Sequence, residues 1–307
     1  MRLLRNERGQ ATVMVAVFMV GMIGMAAFVL DVGSWFRGQR VSQTTVDAAA
    51  LAAAQSLPGD TTTARTLATD YATKNGGVAG TSIVFRSSYA TDDTVVVTKT
   101  SPAPGFFSNI FGISTVNLHA TATAISEVPT AAKAVAPIVV NIKHPDLSGP
   151  GCPCFNAPTT LPLGKTGAPG SFTMLDLDNT DPNGIVGAST LADWITNGYD
   201  KYLDLGQYFS DPGAKFNNSQ IQGALQARYN SDLLFPVYDQ LVSQGSNAEY
   251  HIIGWVGFHL TDVQASGTTG TLTGYFTQVI WAGLVPEHGP PSPAVPDLGV
   301  HSVALID

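Results

Sequence analysis

Residues Ala11 to Leu30 form an uninterrupted run of twenty without a charged side chain, and Thr12 is its only polar member. At ~1.5 Å of rise per residue, a helix of that length spans roughly the ~30 Å of a bilayer's hydrocarbon core. Gly21 and Gly24 would weaken a helix in water but are common in membrane spans. A cleaved signal sequence is the main rival. Its apolar core is usually about 7–15 residues long and ends at a small-x-small site. Here the run continues to Val29-Leu30 with no good cleavage triplet before Asp31, so a retained anchor is the expectation.

Charge predicts the orientation. Arg2, Arg5 and Arg8 precede the run, offset only by Glu7, whereas Asp31 is first on the far side and Arg37 and Arg40 stand further along. Basic residues favour the cytoplasmic side, which places a short N-terminal tail inside and the bulk of the chain outside, in a single pass. From Val41 to Asp307 there are ten Lys/Arg against twenty-one Asp/Glu. That acidity argues against a nucleic-acid partner. A 44% hydrophobic and 9% aromatic composition argues for a folded exterior rather than a disordered one.

The helix is expected to outrun the membrane. From Trp35 to Leu57 there is no proline, and Gly38 is the only interior glycine. Val41, Ala48, Leu51 and Ala52 fall near helical spacing on a narrow face of small residues, which another backbone could approach closely. These four are the candidate partner-contact residues. Leu57-Pro58-Gly59 should end the helix. Thr61 to Thr63 would then cap a second one over 64–75, closed by Gly76-Gly77. Trp35 and Phe36 lie where an aromatic belt would meet headgroups.

Four segments appear together and in order: Arg8-Gly9-Gln10-Ala11 before the run, Asp31-Val32-Gly33 after it, Arg40-Val41-Ser42-Gln43, and Asp47-Ala48-Ala49-Ala50-Leu51-Ala52. Together they resemble the N-terminal region of TadG-like Flp (tight adherence) pilus-assembly proteins, over about residues 6–56. The resemblance implies an inner-membrane anchor and a part in building or anchoring a pilus. It also implies partners among pilus-assembly or envelope proteins. Related pseudopilins are cut after a glycine whose fifth following residue is glutamate; Met14 stands there, so such processing is not expected. The Asp-x-Ser-x-Ser metal motif of longer relatives is absent, and metal-dependent adhesion is not inferred.

Beyond residue 78 the pattern changes to period two. Residues 81–87 and 94–100 read as a hairpin, Pro102-Ala103-Pro104-Gly105 as a break in pairing, and Phe106, Phe107, Ile110 and Phe111 as an amphipathic turn packed on the sheet. Val116 to Ile125 alternates as a long third strand. A long helix before a small antiparallel sheet is similar to the plan of pilin-like proteins, a likeness of fold alone. Residues 127–133 read as a link, 134–142 as a strand, and the Gly-, Pro- and Asn-rich stretch to about 187 as irregular. Residues 189–198 and 218–228 read as helices, 234–242 as ambiguous, and 250–260 and 271–285 as strands.

The expected fold class is therefore α+β. It comprises a cytoplasmic tail (1–9), a single transmembrane helix (10–31), an extramembrane helical segment (32–78), a small antiparallel β unit (79–130), a larger β-rich exterior domain (131–286) and an extended C-terminal segment (287–307).

No constellation reads as catalytic. Cys152-Pro153-Cys154 is the only cysteine pair; a local disulfide, an intermolecular bond, half of a metal site and free thiols all remain open. Asp176 to Gly184 clusters oxygen donors that would suit calcium, but no glutamate falls at the EF-hand position, and Asp and Asn also serve simply as turn residues. The six histidines show no metal spacing, and His251 and His259 would lie roughly 26 Å apart on a straight strand. No cofactor and no enzymatic activity are expected. The reading is a membrane-anchored assembly component acting by association, with a lipid contact through residues 11–30. Self-association is left open. The alternative is an anchored surface binding protein or adhesin unrelated to pilus construction.

Overall fold

An α-helix, α1, runs without interruption from Glu7 to Ala54 in a computed structural model that describes residues 7–164, 167–178, 186–211, 213–243, 248–266, 269–286 and 295–306. At ~1.5 Å per residue its 48 residues extend about 72 Å. The chain is α+β, with this apolar helix followed by mixed β-sheets. It divides into two compact units, residues 1–125 with 304–307, and residues 126–303.

In the first unit a turn at 55–59 sends the chain into α2 (Thr61–Lys74). The cap of α2 is Asp60, whose carboxylate accepts the Thr62 and Thr63 N–H groups at 2.9 Å; the threonines stand inside the helix rather than capping it. α2 returns alongside α1, and Thr45 Oγ1 donates to Asn75 O at 2.7 Å near its far end. Ala64, Ala68 and Ala72 of α2 are buried, as are Ala49, Ala50 and Ala53 of α1. Spacing by four stacks α2's alanines on one face, and methyl groups allow the two backbones to approach closely. Gly76, at φ +137°, closes the helix where a Cβ would meet Thr45 Oγ1 at 2.5 Å.

Strands β1 (Thr81–Arg86), β2 (Thr94–Pro104) and β3 (Thr115–Glu127) form an antiparallel meander against which α1 packs. Gly38 permits that contact, since a Cβ there would meet Leu118 Cδ1 at 2.7 Å. The side chains of Gln39 and Gln43 donate to the β3 carbonyls of His119 and Thr121 at 2.6 and 3.0 Å. Along β3, Leu118, Ala120, Ala122 and Ala124 are buried, the alternation expected of a strand with one face covered.

Pro102 and Pro104 do not break the pairing: β2 stays in register with β3 to Pro104 opposite Thr115. Gly105 N–H reaches Ser114 O, so residues of that parity face β3, while Pro104 O accepts from Trp35 Nε1 on the other side. The prolines thus direct their missing N–H groups beyond the end of β1, where no ladder bond is lost.

The second unit begins where a link was expected. β3 continues to Glu127, and β4 (Pro129–Ala132) joins β8 (Leu203–Asp204) and β14 (Leu284–Pro286) in a small sheet. The larger sheet contains β5 (Ile138–Asn141), β6 (Pro158–Pro162), β7 (Phe172–Leu175), β9 (Gly206–Asp211), β10 (Ser231–Val242), β11 (Glu249–Ser266) and β12 (Thr269–Thr277). Its order is β10-β5-β7-β9-β11-β12-β6, and pairing of β10 with β11 closes the first five strands into a ring. The expected 271–285 strand is instead β12, β13 (Val279–Ile280) and β14.

Phe172, Phe216, Phe235, Tyr250, Trp255, Phe258 and Phe276 are fully buried, filling the core as the interiors of small closed sheets are filled. Short helix α3 (Pro145–Ser148) and helices α4 (Ala188–Asn197) and α5 (Ser219–Ala227) complete the unit. Gly187, not Ser189, stands at the N-cap of α4. Within the segment expected to be extended, Val300–Ile306 forms strand β15; residues 287–294 lie outside the described residues.

Candidate membrane interface

Along α1 from Ala11 to Leu30 almost every side chain is exposed, including Phe18, Ile23, Met25 and Phe28. It is the one helix, among the described residues, long and apolar enough to cross a membrane. Water would be a poor solvent for such a surface, and a soluble helix would turn an apolar stripe inward. The twenty residues suit hydrocarbon on all sides.

Asp31 ends the run, and its structural role was not visible in the sequence. It is 1% exposed, and its carboxylate accepts the backbone N–H groups of Phe106, Phe107 and Ser108 at 3.1, 2.9 and 2.6 Å. The 3-10 turn Ser108–Phe111 that follows is thereby fastened to α1. A lone acid immediately after an apolar run was the available signal; nothing in the sequence named its partners. The turn does not pack on the sheet as expected. Ile110, Phe111 and Phe106 are 82%, 75% and 70% exposed.

Of the aromatic pair beyond the run, Phe36 is exposed and Trp35 is half-buried, bonded to Pro104 O. The candidate contact residues separate. Val41 is exposed, Ala48 and Leu51 are half-buried, and Ala52 is 2% exposed within the chain's own packing. The backbone that approaches the alanine face of α1 is that of α2.

Two further charged groups organise this unit. Asp93 is buried in the β1–β2 turn and accepts N–H groups from Ser88, Tyr89 and Ala90 at 2.6–2.8 Å. Burial would raise its carboxyl, but these bonds outweigh that and hold it below the usual carboxylate value. Lys99 is also buried. Its ammonium donates to the carbonyls of Gly76 and Gly77 past the end of α2, and burial lowers its pKa. A cation there complements the helix's negative end.

In the second unit Cys152 and Cys154 are joined in a disulfide. His251, His259 and His301 each pair with an aspartate, Asp239, Asp232 and Asp297, at 2.7, 2.7 and 2.9 Å. His144 is buried and accepts from Asp146 N–H. Asp176 Oδ1 accepts from Asp178 N–H, and Asp178 in turn receives Tyr199 Oη and Lys201. The remainder of the acidic stretch, residues 179–184, lies outside the described residues. Among the described residues no group of three or more His, Cys, Asp or Glu side chains is placed to hold a metal.

No curated protein and no solved structure matches the chain. A family model does, within the part built on α1. Residues 9–56, from Gly9 to just past the end of α1, match the family described as putative Flp pilus-assembly TadE/G-like, so the likeness carried by Asp31-Val32-Gly33 and Asp47 to Ala52 holds for this helix.

Proposed function

We propose that the protein is a membrane-anchored structural component of a Flp (Tad) type pilus or a related secretion apparatus, acting by association rather than turnover. The observation that carries this reading is a coincidence of boundaries. The family match over residues 9–56 covers the bare apolar span and the buried alanine face of the same helix, α1. The span lies in the inner membrane with its N-terminus cytoplasmic, as Arg2, Arg5 and Arg8 favour, and the bulk of the chain that follows the span lies on the far side.

Partners among the pilus or envelope proteins meet α1 at its outward edge. They reach Val41 and the uncovered parts of Ala48 and Leu51, since Ala52 is already occupied. Photocrosslinkers placed at Val41 and Leu51 should capture another assembly protein, whereas one at Ala52 should not. Deleting the gene should abolish pilus assembly, and the full chain should restore it. Intact pili in the deletion strain, together with substrate turnover by the isolated exterior, would overturn the reading. Intact pili with lost surface attachment would favour an anchored adhesin.

A further inference from the structure

We infer that the β2–β3 loop, residues 105–114, is a second membrane-inserted element, its apolar tip lying among lipid acyl chains beside the span. This rests on the reading of residues 11–30 as a membrane span. From Ser101 to Leu118 there is no charged residue. Phe106, Ile110 and Phe111 are as exposed as the side chains of the span itself. Phe107, Ile110 and Phe111 line a groove with Val20, Gly24, Phe28 and neighbouring residues of α1, about 880 Å³ in volume. The loop is fastened at Asp31, so it points from the end of the span back along it, toward residues that would lie in hydrocarbon. Gly24 is about 10 Å below Asp31 along the helix axis.

The backbone also goes far toward the condition for leaving water, with seven of the ten N–H groups in residues 105–114 bonded within the chain. Peptide groups in hydrocarbon must be satisfied internally. Gly105 N–H bonds Ser114 O, and those of Phe106, Phe107 and Ser108 bond Asp31. Ile110, Gly112 and Ile113 N–H groups bond Phe107 O, Asn109 O and Ser108 O. The Ser108 hydroxyl donates to Ile113 O as well. The occupant that suits this apolar, largely self-bonded tip is lipid. The exposed apolar surface of the loop is continuous with that of the span, so one solvent serves both, in the manner of an interfacial anchor.

The test uses the full chain in phosphatidylcholine bilayers, with nitroxide labels on Ile110→Cys and Phe111→Cys. Ile23→Cys serves as the lipid control and Val84→Cys, exposed on β1, as the water control. The native cysteines are bonded to each other and take no label. At both loop positions collisions with oxygen should exceed those with a water-soluble nickel complex, as at Ile23, with the reverse at Val84. Loop labels that behave like Val84 while Ile23 reads lipid would overturn the inserted loop and leave the span standing. Should Ile23 also read water, the span fails and the loop with it. Low collision rates with both reagents, together with spin–spin broadening, would mean that a second copy covers the loop, and would also overturn the proposal.

Discussion

The two ends of α1 are built alike in backbone and differ in side-chain size. From Ala11 to Leu30 the helix carries Val, Phe, Met, Ile and Leu, and these surround it with exposed apolar surface. From Thr45 to Ala54 it carries mainly alanine, and most of those side chains are buried. Large apolar side chains suit a medium that is itself apolar, where nothing drives helices together by exclusion of water. Small ones suit close packing in water, where α2 can approach and both helices bury backbone as well as methyl groups. One continuous helix is therefore specified for two solvents, and side-chain volume marks the change.

The largest way to break that contrast is to place a charge in the lower half. Ile23→Arg should cost about 2.5–3.5 kcal/mol of membrane insertion, visible as loss of the alkali-resistant membrane fraction. Arginine at exposed Val41, in the upper half, should leave retention unchanged. Overpacking tests the other half. Ala53→Leu should destabilise the α1–α2 contact by about 1–3 kcal/mol, measured by faster amide exchange in α2. Ala26→Leu, on the bare half, should leave that exchange as it was.

A smaller effect is expected at Lys99. Lys99→Met removes the donor to the Gly76 and Gly77 carbonyls and should loosen the end of α2 by about 1–2 kcal/mol, read from exchange over residues 72–77. Acid should give the smallest and most local change. Asp93 has its folded-state pKa below its ordinary 3.8, so its contribution is fully present above that value and is shed as pH falls through the folded-state pKa. Exchange at Ser88, Tyr89 and Ala90 should rise there, and Asp93→Asn should remove that pH step. A step that persists in the variant would assign it to another carboxylate.

The span was legible because twenty consecutive residues agree on one answer, and the family likeness because its segments fall on a single helix. The alanine face was legible as a surface for close approach, but alanine does not say whose backbone approaches. Ala64, Ala68 and Ala72 stood only a turn away in the sequence. Pro102 and Pro104 misled because proline excludes a hydrogen bond only on the side it faces, and that side depends on register. Phe106 to Phe111 declared an apolar tip without declaring its solvent. In the second unit β6 and β7 were hidden in a Gly-, Pro- and Asn-rich stretch; strands of five and four residues are too short for alternation to stand out. The parallel pairing of β10 with β5 sets Val237 and Tyr238 beside Val140 and Asn141, partners too distant in the chain to be read from local pattern.

The helix has no proline anywhere between Glu7 and Ala54, and it crosses the end of the span without a break. It therefore acts as a stiff lever. A torque applied to the α2 and β1–β3 body reaches the bilayer directly, with no joint to absorb it, and a change in lipid thickness that tilts residues 11–30 must swing the body by the same angle. Orientation measurements at Ile23 and at Ala49 should therefore change together as bilayer thickness is varied. Independent angles at the two positions would reveal a hinge.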